Sequence, residues 1–214
     1  MELRQALDQH AQDARELVTC LESAPDDSVF FHVHGYFLRH RPFTTAYGND
    51  FARWIAVELA DLALAEQLAV VDPFQFGSLG DLRAQLVTIM HGHLRETGPG
   101  RRVEFRHAFH FQQSRIVPVR LGFRATTLAE FRQGLAGADV SAMYHHLVEA
   151  RARAGRRGGD FAAWLREALG LDALAEEIEH IDLYLTTPER VRGRILALID
   201  HVLEAEESRE GAGR

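Results

Sequence analysis

The sequence predicts a mainly α-helical fold: two pseudo-twofold related helical repeats packed together, with a short β or extended segment near residues 103–121. Two observations support this fold class. Four sequence blocks occur twice in the same order, and apolar residues within each copy recur at helical spacing. A unit of this size rarely buries its apolar face alone, so we expect the two copies to pack against each other.

The first copy reads SVFFHVHGYFLR, NDFARWIAVEL, LAEQLAVVDPF and SLGDLRAQLVTIM, and the second reads SAMYHHLVEARA, GDFAAWLREAL, LAEEIEHIDLY and TPERVRGRILALI. Alignment pairs identical or similar residues: Phe31 with Tyr144, His32 with His145, Asp50 with Asp160, Phe51 with Phe161, Trp54 with Trp164, and Asp72 with Asp182. We therefore predict a first repeat over residues 1–98, a linker with the extended or β segment over 99–124, a second repeat over 125–205 and a flexible tail over 206–214.

The predicted helices combine an apolar face with a start signal. The apolar faces are Phe51, Trp54, Ile55 and Leu59 in the first copy and Phe161, Trp164, Leu165 and Leu169 in the second. The start signals are Asp50 and Asp160 as N-caps, Ser78 with Asp81, Thr127 with Glu130, and Thr187 followed by Pro188. We expect no extended segment before the first copy, which is predicted to open directly on a helix.

The run VEFRHAFHF between the two copies has a different period. Val103, Phe105, His107, Phe109 and Phe111 alternate with polar or small residues, which is typical of a strand. Pro118 follows in IVPVRLGF and favours an edge position. The segment is predicted to form one or two strands or extended stretches.

Composition excludes several functional classes. The chain of 214 residues has 24 basic and 31 acidic residues, and its net charge of -7 disfavours nucleic acid as a partner. No apolar run reaches the roughly 18 residues that a membrane span needs, and no apolar signal region opens the sequence, so we expect a soluble cytoplasmic protein without a membrane role. The single Cys20 forbids an internal disulfide, which leaves twelve histidines as the unusual feature.

The paired motifs FFHVHGYFLRH with NDFARW and MYHHLVEAR with GDFAAW resemble an uncharacterised bacterial family catalogued as a domain of unknown function. The resemblance covers most of the chain and implies helical architecture in two related halves. It implies no activity, cofactor or catalytic residue. In that family an asparagine precedes the aspartate in both halves, whereas Gly159 stands opposite Asn49 in this chain.

The candidate polar site comprises His32, His145, His146, Glu149, Asp50 and Asp160. Repetition selects one histidine per half, His32 and His145, together with the two aspartates, and helix spacing adds His146 and Glu149. Glu149 shares a helix face with both histidines that precede it, because it lies four and three residues after them. The favoured interpretation is a buried polar network in which histidines bond to carboxylates or carbonyls. Two alternatives stay open: a divalent metal held by His32, His145 and Glu149, and acid–base catalysis.

Arginines near the aspartates form a second candidate site, for a phosphate or carboxylate anion: Arg39 and Arg41 in the first copy, and Arg151, Arg153, Arg156 and Arg157 in the second. A solvated basic loop is the simpler interpretation, since no phosphate-binding loop motif is present.

No complete catalytic motif occurs in the sequence. We therefore predict a non-enzymatic binding or regulatory module that acts through protein contacts, as a homo-oligomer or with a partner, or through a small anionic ligand, and no cofactor is expected. The alternative is a metal-dependent or acid–base enzyme with a His/Glu/Asp site at the junction of the two halves.

Overall fold

A computed structural model describes residues 2–39, 47–116, 124–154, 159–183 and 186–212. Over these residues the fold is mainly α-helical with one short two-stranded sheet, which confirms the predicted mainly α fold with a short β segment. The chain divides into two compact units, Met1–Val119 and Arg120–Arg214.

The first unit combines the sheet with helices. Its strands are β1 (Glu2–Ala11) and β2 (Phe109–Ile116), and its α-helices are α1 (Ala14–Ser23), α2 (Asp26–His32), α3 (His34–Arg39), α4 (Asp50–Trp54), α5 (Leu62–Ala69) and α6 (Leu79–Thr97). A π-helical turn (Ile55–Leu59) continues α4, and 3-10 turns occur at Pro73–Gln75 and Phe105–His107.

The prediction that no extended segment precedes the first copy is wrong, because residues 2–11 form strand β1. β1 pairs antiparallel with β2, and an irregularity between Ala6 and His10 interrupts the register. The segment ELRQALDQHA contains good helix formers, so the pairing with β2 overrides local propensity. The predicted extended segment is shorter than expected: β2 begins only at Phe109, and Pro118 lies outside the described residues.

One of the two helix-start signals predicted in the first unit is confirmed and the other is wrong. Ser78 caps α6 by accepting from the backbone N–H of Asp81, as predicted. The predicted cap at Asp50 is wrong, because Asn49 caps α4 and accepts from the N–H of Ala52. Asp50 lies one residue later, in the first turn, and its side chain is directed to His32.

The core of the first unit lies where α2 packs against β2. Phe109 and Phe111 are buried while His110 between them is exposed, so the predicted alternation holds at the start of the strand. It does not continue to Ser114, which is buried although the alternation sets it on the exposed side. The predicted apolar face over Phe51–Leu59 is buried as well, and the indole N–H of Trp54 donates to the carbonyl of His107 at 2.8 Å. This core fixes the position of α4 and α2 relative to β2.

Helices alone form the described part of the second unit. They are α7 (Leu128–Gly137), α8 (Val140–Tyr144), α9 (Ala150–Ala154), α10 (Gly159–Leu169), α11 (Asp172–Glu179) and α12 (Pro188–Ala212), and a π-helical turn (His145–Glu149) joins α8 to α9. Residues 206–212, where we predicted a flexible tail, continue α12.

Two of the predicted start signals of the second unit are confirmed, whereas the predicted cap at Asp160 is wrong, because α10 begins at Gly159 and Asp160 lies in its first turn. Thr127 and Glu130 form a capping box at α7, and the hydroxyl of Thr187 accepts from the N–H of Arg190 at the start of α12. Two carboxylate–guanidinium hydrogen bonds, of 2.6 and 3.0 Å, join Asp200 of α12 to Arg132 of α7. No helix among the described residues has both the length and the apolar character needed to cross a membrane.

Candidate functional site

The first unit holds a histidine–aspartate pair between α2, α4 and β2. Nδ1 of His32 lies 2.9 Å from Oδ2 of Asp50. The backbone N–H of Gln112 in β2 donates a 2.9 Å hydrogen bond to Nε2 of the same ring. Because a backbone amide only donates, Nε2 carries no proton and Nδ1 donates to the carboxylate. These contacts fix a single neutral tautomer of His32 in which both ring nitrogens are occupied.

This pair, which we term the closed pair, is also shielded from solvent. His32 is 3% exposed, and the rings of Phe109, Phe31 and Phe51 lie 4.8, 5.0 and 5.4 Å from its ring centroid. A metal ion would need a lone pair that Nε2 has already given to the backbone. The closed pair therefore joins three elements of the first unit.

The second unit pairs Asp160 with His146, whereas the aligned repeats placed His145 opposite His32. Nδ1 of His146 lies 3.0 Å from Oδ2 of Asp160. The two side chains are 41% and 38% exposed, in contrast to the buried pair of the first unit. Within the described residues nothing bonds to Nε2 of His146. This ring therefore keeps one nitrogen accessible.

His145 makes a separate contact with Glu149. Its Nδ1 lies 2.7 Å from Oε2 of a carboxylate side chain that is only 9% exposed. Both residues belong to the π-helical turn, which the N–H of Ala150 closes by donating to the His145 carbonyl. A π turn is wider than an α turn, so consecutive side chains diverge less. The rings of His145 and His146 accordingly lie 5.0 Å apart between centroids.

Gly159 brings the start of α10 against this π-helical turn. Its φ is +70°, and an added Cβ would clash with the carbonyl oxygen of His146, so only glycine fits here. Asp160 follows at once, and the close approach places its carboxylate beside the His146 ring. Asn49, which the alignment sets opposite Gly159, instead caps α4 and donates its side-chain amide to the carbonyl of Leu68 at 2.9 Å.

His145, His146 and Asp160 form a group that we term the open cluster. Each offers one ligand atom, these atoms all lie within 4.8 Å of one another, and all three residues are half-buried. Two imidazoles and a carboxylate are a donor set suited to zinc and neighbouring transition metals. No second group of three or more such side chains meets this criterion in the part of the chain that the structure describes.

The candidate polar residues thus fall into two groups: His32 with Asp50 in the first unit, and His145, His146, Glu149 and Asp160 in the second. The composite site at the junction of the halves stays a prediction. Among the candidate anion-binding arginines, Arg151 is described, while the side chains of Arg39, Arg41, Arg153, Arg156 and Arg157 lie outside the described residues.

Sequence reasoning missed several contributors. The hydrogen bond from the Gln112 N–H to His32 and the close packing of Gly159 against the His146 carbonyl involve backbone atoms, which side-chain patterns do not reveal. Further histidine–carboxylate pairs join distant parts of the first unit: His91 with Glu22, His93 with Asp61, and His107 with Glu58. Only the large number of histidines pointed to such pairs.

Cys20 is not activated for thiol chemistry. Burial, together with the charge of Glu16, raises the pKa of its thiol above the usual value. The thiol of Cys20 donates to the carbonyl oxygen of His10, with Sγ and oxygen 3.5 Å apart. A raised pKa leaves little of the reactive thiolate at neutral pH, which agrees with the structural interpretation of this residue.

The fold and these contacts define a mainly helical protein in which histidine–carboxylate pairs join helices. The chain belongs to a family of unknown function (DUF5752), whose model matches residues 1–200. The solved structure of OrfY from Thermoproteus tenax is similar, with 27% sequence identity and a TM-score of 0.78 over 94% of this chain and 91% of that chain. A comparison with curated proteins finds no match.

Proposed function

We propose that the chain is a helical binding or regulatory module, acting through a protein partner or a second copy of itself, and not an enzyme. The closed pair carries this proposal. Acid–base catalysis needs a histidine that reaches its substrate. His32 is buried, and hydrogen bonds to Asp50 and Gln112 occupy both of its nitrogens, so its role is to hold α2, α4 and β2 together.

Exposed aliphatic side chains in the first unit offer an apolar contact region to a partner. Val57, Leu62 and Val70 are 58%, 58% and 76% exposed, and we term them the aliphatic surface. They lie on or next to α5, which buries Leu64 and Leu68. A protein contact that covers these side chains removes apolar area from water, which favours association.

Duplication of one helical unit is part of this proposal. In the first unit Ala60 has φ 58° and separates the helix that follows Asn49 from α5. In the second unit Gly170 has φ 67° between α10 and α11. Both residues use the left-handed conformation that commonly ends a helix, so the same type of connection recurs at matching places in the aligned blocks.

Native mass spectrometry and light scattering on the tag-free chain test the contact role, first with pure protein and then after cross-linking in a lysate of the source cells. We expect a complex that is lost when Val57, Leu62 and Val70 are all replaced by lysine. The matched control is Gln67→Lys, which adds a lysine at another exposed position of α5 and should leave the complex intact. A monomer without any partner, or a triple variant that associates like the parent, contradicts the proposal.

A further inference from the structure

We propose that the open cluster is a binding site for a divalent transition-metal ion of the zinc, cobalt and nickel class. Nδ1 of His146 and Oδ2 of Asp160 lie 3.0 Å apart. Zinc bonds to imidazole nitrogen and carboxylate oxygen are about 2.0–2.2 Å long, so a single ion can contact both atoms. His145 supplies the third ligand atom within 4.8 Å of the other two.

The metal takes the place of a proton. In the metal-free pair, the hydrogen between His146 and Asp160 is shared by the two atoms that would bind the ion. Metal ligation needs a nitrogen lone pair, so the neutral His146 ring must then keep its proton on Nε2. Side-chain exposure of 41% gives that nitrogen access to water. Moving the His146 proton from Nδ1 to Nε2 is therefore enough to make Nδ1 and the Asp160 carboxylate available to the ion.

Glu149 is the positioning residue of this site. Its buried carboxylate accepts from Nδ1 of His145 at 2.7 Å, which leaves Nε2 of that ring as the atom with a lone pair. Carboxylates commonly hold metal-binding histidines in this manner, fixing the ring orientation and raising its basicity. The π-helical turn supports the arrangement, because it sets His145 beside His146 and Glu149 beneath His145 in one short segment.

The donor set decides the class of ion. Two imidazole nitrogens favour zinc and its neighbours over magnesium and calcium, which prefer sites made wholly of oxygen. Three protein ligands leave a tetrahedral ion with one further position, which water or a side chain from a bound partner can fill. Half-burial of all three ligands keeps that position reachable from solvent.

The closed pair supplies an internal comparison for this inference. It has the same imidazole and carboxylate groups at 2.9 Å, yet the Gln112 N–H takes the second nitrogen and burial excludes solvent. The metal site is therefore assigned to the second unit alone.

Isothermal titration calorimetry with zinc, and absorption spectroscopy with cobalt(II), test the assignment on the full, tag-free chain after treatment with a chelator. We expect one ion per chain in the parent protein. His146→Gln and, separately, Asp160→Asn should remove this stoichiometric binding. The matched control is His91→Gln, which disrupts an exposed histidine–carboxylate pair of the first unit and should leave binding unchanged.

Circular dichroism confirms that each variant is folded before its titration is interpreted, and either of the two cluster variants is sufficient for the test. The proposal is overturned if the parent protein takes up no stoichiometric zinc or cobalt. It is equally overturned if a folded His146→Gln or Asp160→Asn variant binds like the parent.

Discussion

The closed pair of the first unit and the His146–Asp160 pair of the second make the same contact with opposite consequences. Imidazole Nδ1 meets an aspartate oxygen at 2.9 Å in one and 3.0 Å in the other. A backbone N–H occupies the remaining nitrogen of the first ring, whereas the second ring has its remaining nitrogen accessible beside another histidine. Residue type alone therefore does not define a site, because the groups that meet the second nitrogen decide its chemistry.

Local backbone geometry causes this difference. In the first unit, β2 runs beside α2 and presents the Gln112 N–H to His32. In the second unit, Gly159 lets α10 start against a π-helical turn. A π-helical turn replaces the regular α-helical hydrogen bonds by wider ones, and such turns are often found at functional sites. The comparison predicts a stability role for the first pair and a ligand role for the second.

The largest expected effect is the loss of His32. His32→Ala leaves the Gln112 N–H and the Asp50 carboxylate without this partner in a buried place, and should cost about 3 kcal/mol of unfolding free energy. His146→Ala should cost less than about 1 kcal/mol, because its pair is exposed. Urea titration measures both values, with tryptophan fluorescence reporting on the first unit through Trp54 and on the second through Trp164. Equal costs would refute the comparison.

Gly159→Ala tests the approach that forms the open cluster. The new Cβ meets the His146 carbonyl and φ is positive, so we expect a loss of about 2–3 kcal/mol together with weaker zinc binding. Gly170→Ala is the matched control: φ is +67° there but nothing lies within 4 Å, and the expected loss is about 1 kcal/mol. Thermal melts distinguish the two variants, and equal losses would show that the close approach is unimportant.

Glu149→Gln tests the positioning residue separately from the ligands. The amide no longer carries the charge that favours a protonated Nδ1 on His145, so zinc affinity should fall about 10–100-fold. Competition with a chromophoric chelator measures this change. Histidine ¹⁵N shifts of the metal-free variant should show a mixed tautomer at His145. Unchanged zinc affinity and an unchanged tautomer would exclude the positioning role.

The smallest effect concerns acid, at the Arg132–Asp200 ion pair, which belongs to neither histidine site. Hydrogen bonds from Arg132, and then its charge, lower the pKa of Asp200 below its usual 3.8. The pKa of Asp200 is lower in the folded chain than in the unfolded chain. The ion pair therefore stabilises the fold fully above the unfolded pKa, and this stabilisation is lost as the pH falls through the folded pKa. Asp200→Asn should therefore melt below the parent at pH 7, and the two should converge once the pH has fallen below the folded pKa of Asp200. A difference that persists in acid would contradict this.

Local signals made much of the fold predictable. Capping residues and helical periodicity act within a few residues, which explains why the starts at Ser78, Thr127 and Thr187 are confirmed. Strand β1 was missed because its state depends on pairing with β2, about 100 residues later along the chain. Local propensity contains no information about such a partner.

The site was predictable in its residues but not in its pairings. Repetition selected His32, His145 and the two aspartates, whereas in the structure His146, which only its spacing to Glu149 had indicated, pairs with Asp160. The Asp50 cap was wrong because Asn49 precedes it and offers an equally good cap. The tautomer of His32 is fixed by the backbone N–H of Gln112, and the pattern of side chains in the sequence does not show which backbone groups meet a ring.

Histidine-selective ¹H–¹⁵N correlation spectra, recorded while zinc is added, test the contrast between the two pairs most directly. Signals are assigned with His32→Gln, His145→Gln and His146→Gln. We predict that His32 keeps a protonated Nδ1 and an acceptor Nε2 at every zinc concentration, while His145 and His146 shift together and saturate at one ion per chain. A His32 signal that follows zinc, or His145 and His146 signals that ignore it, would contradict the account.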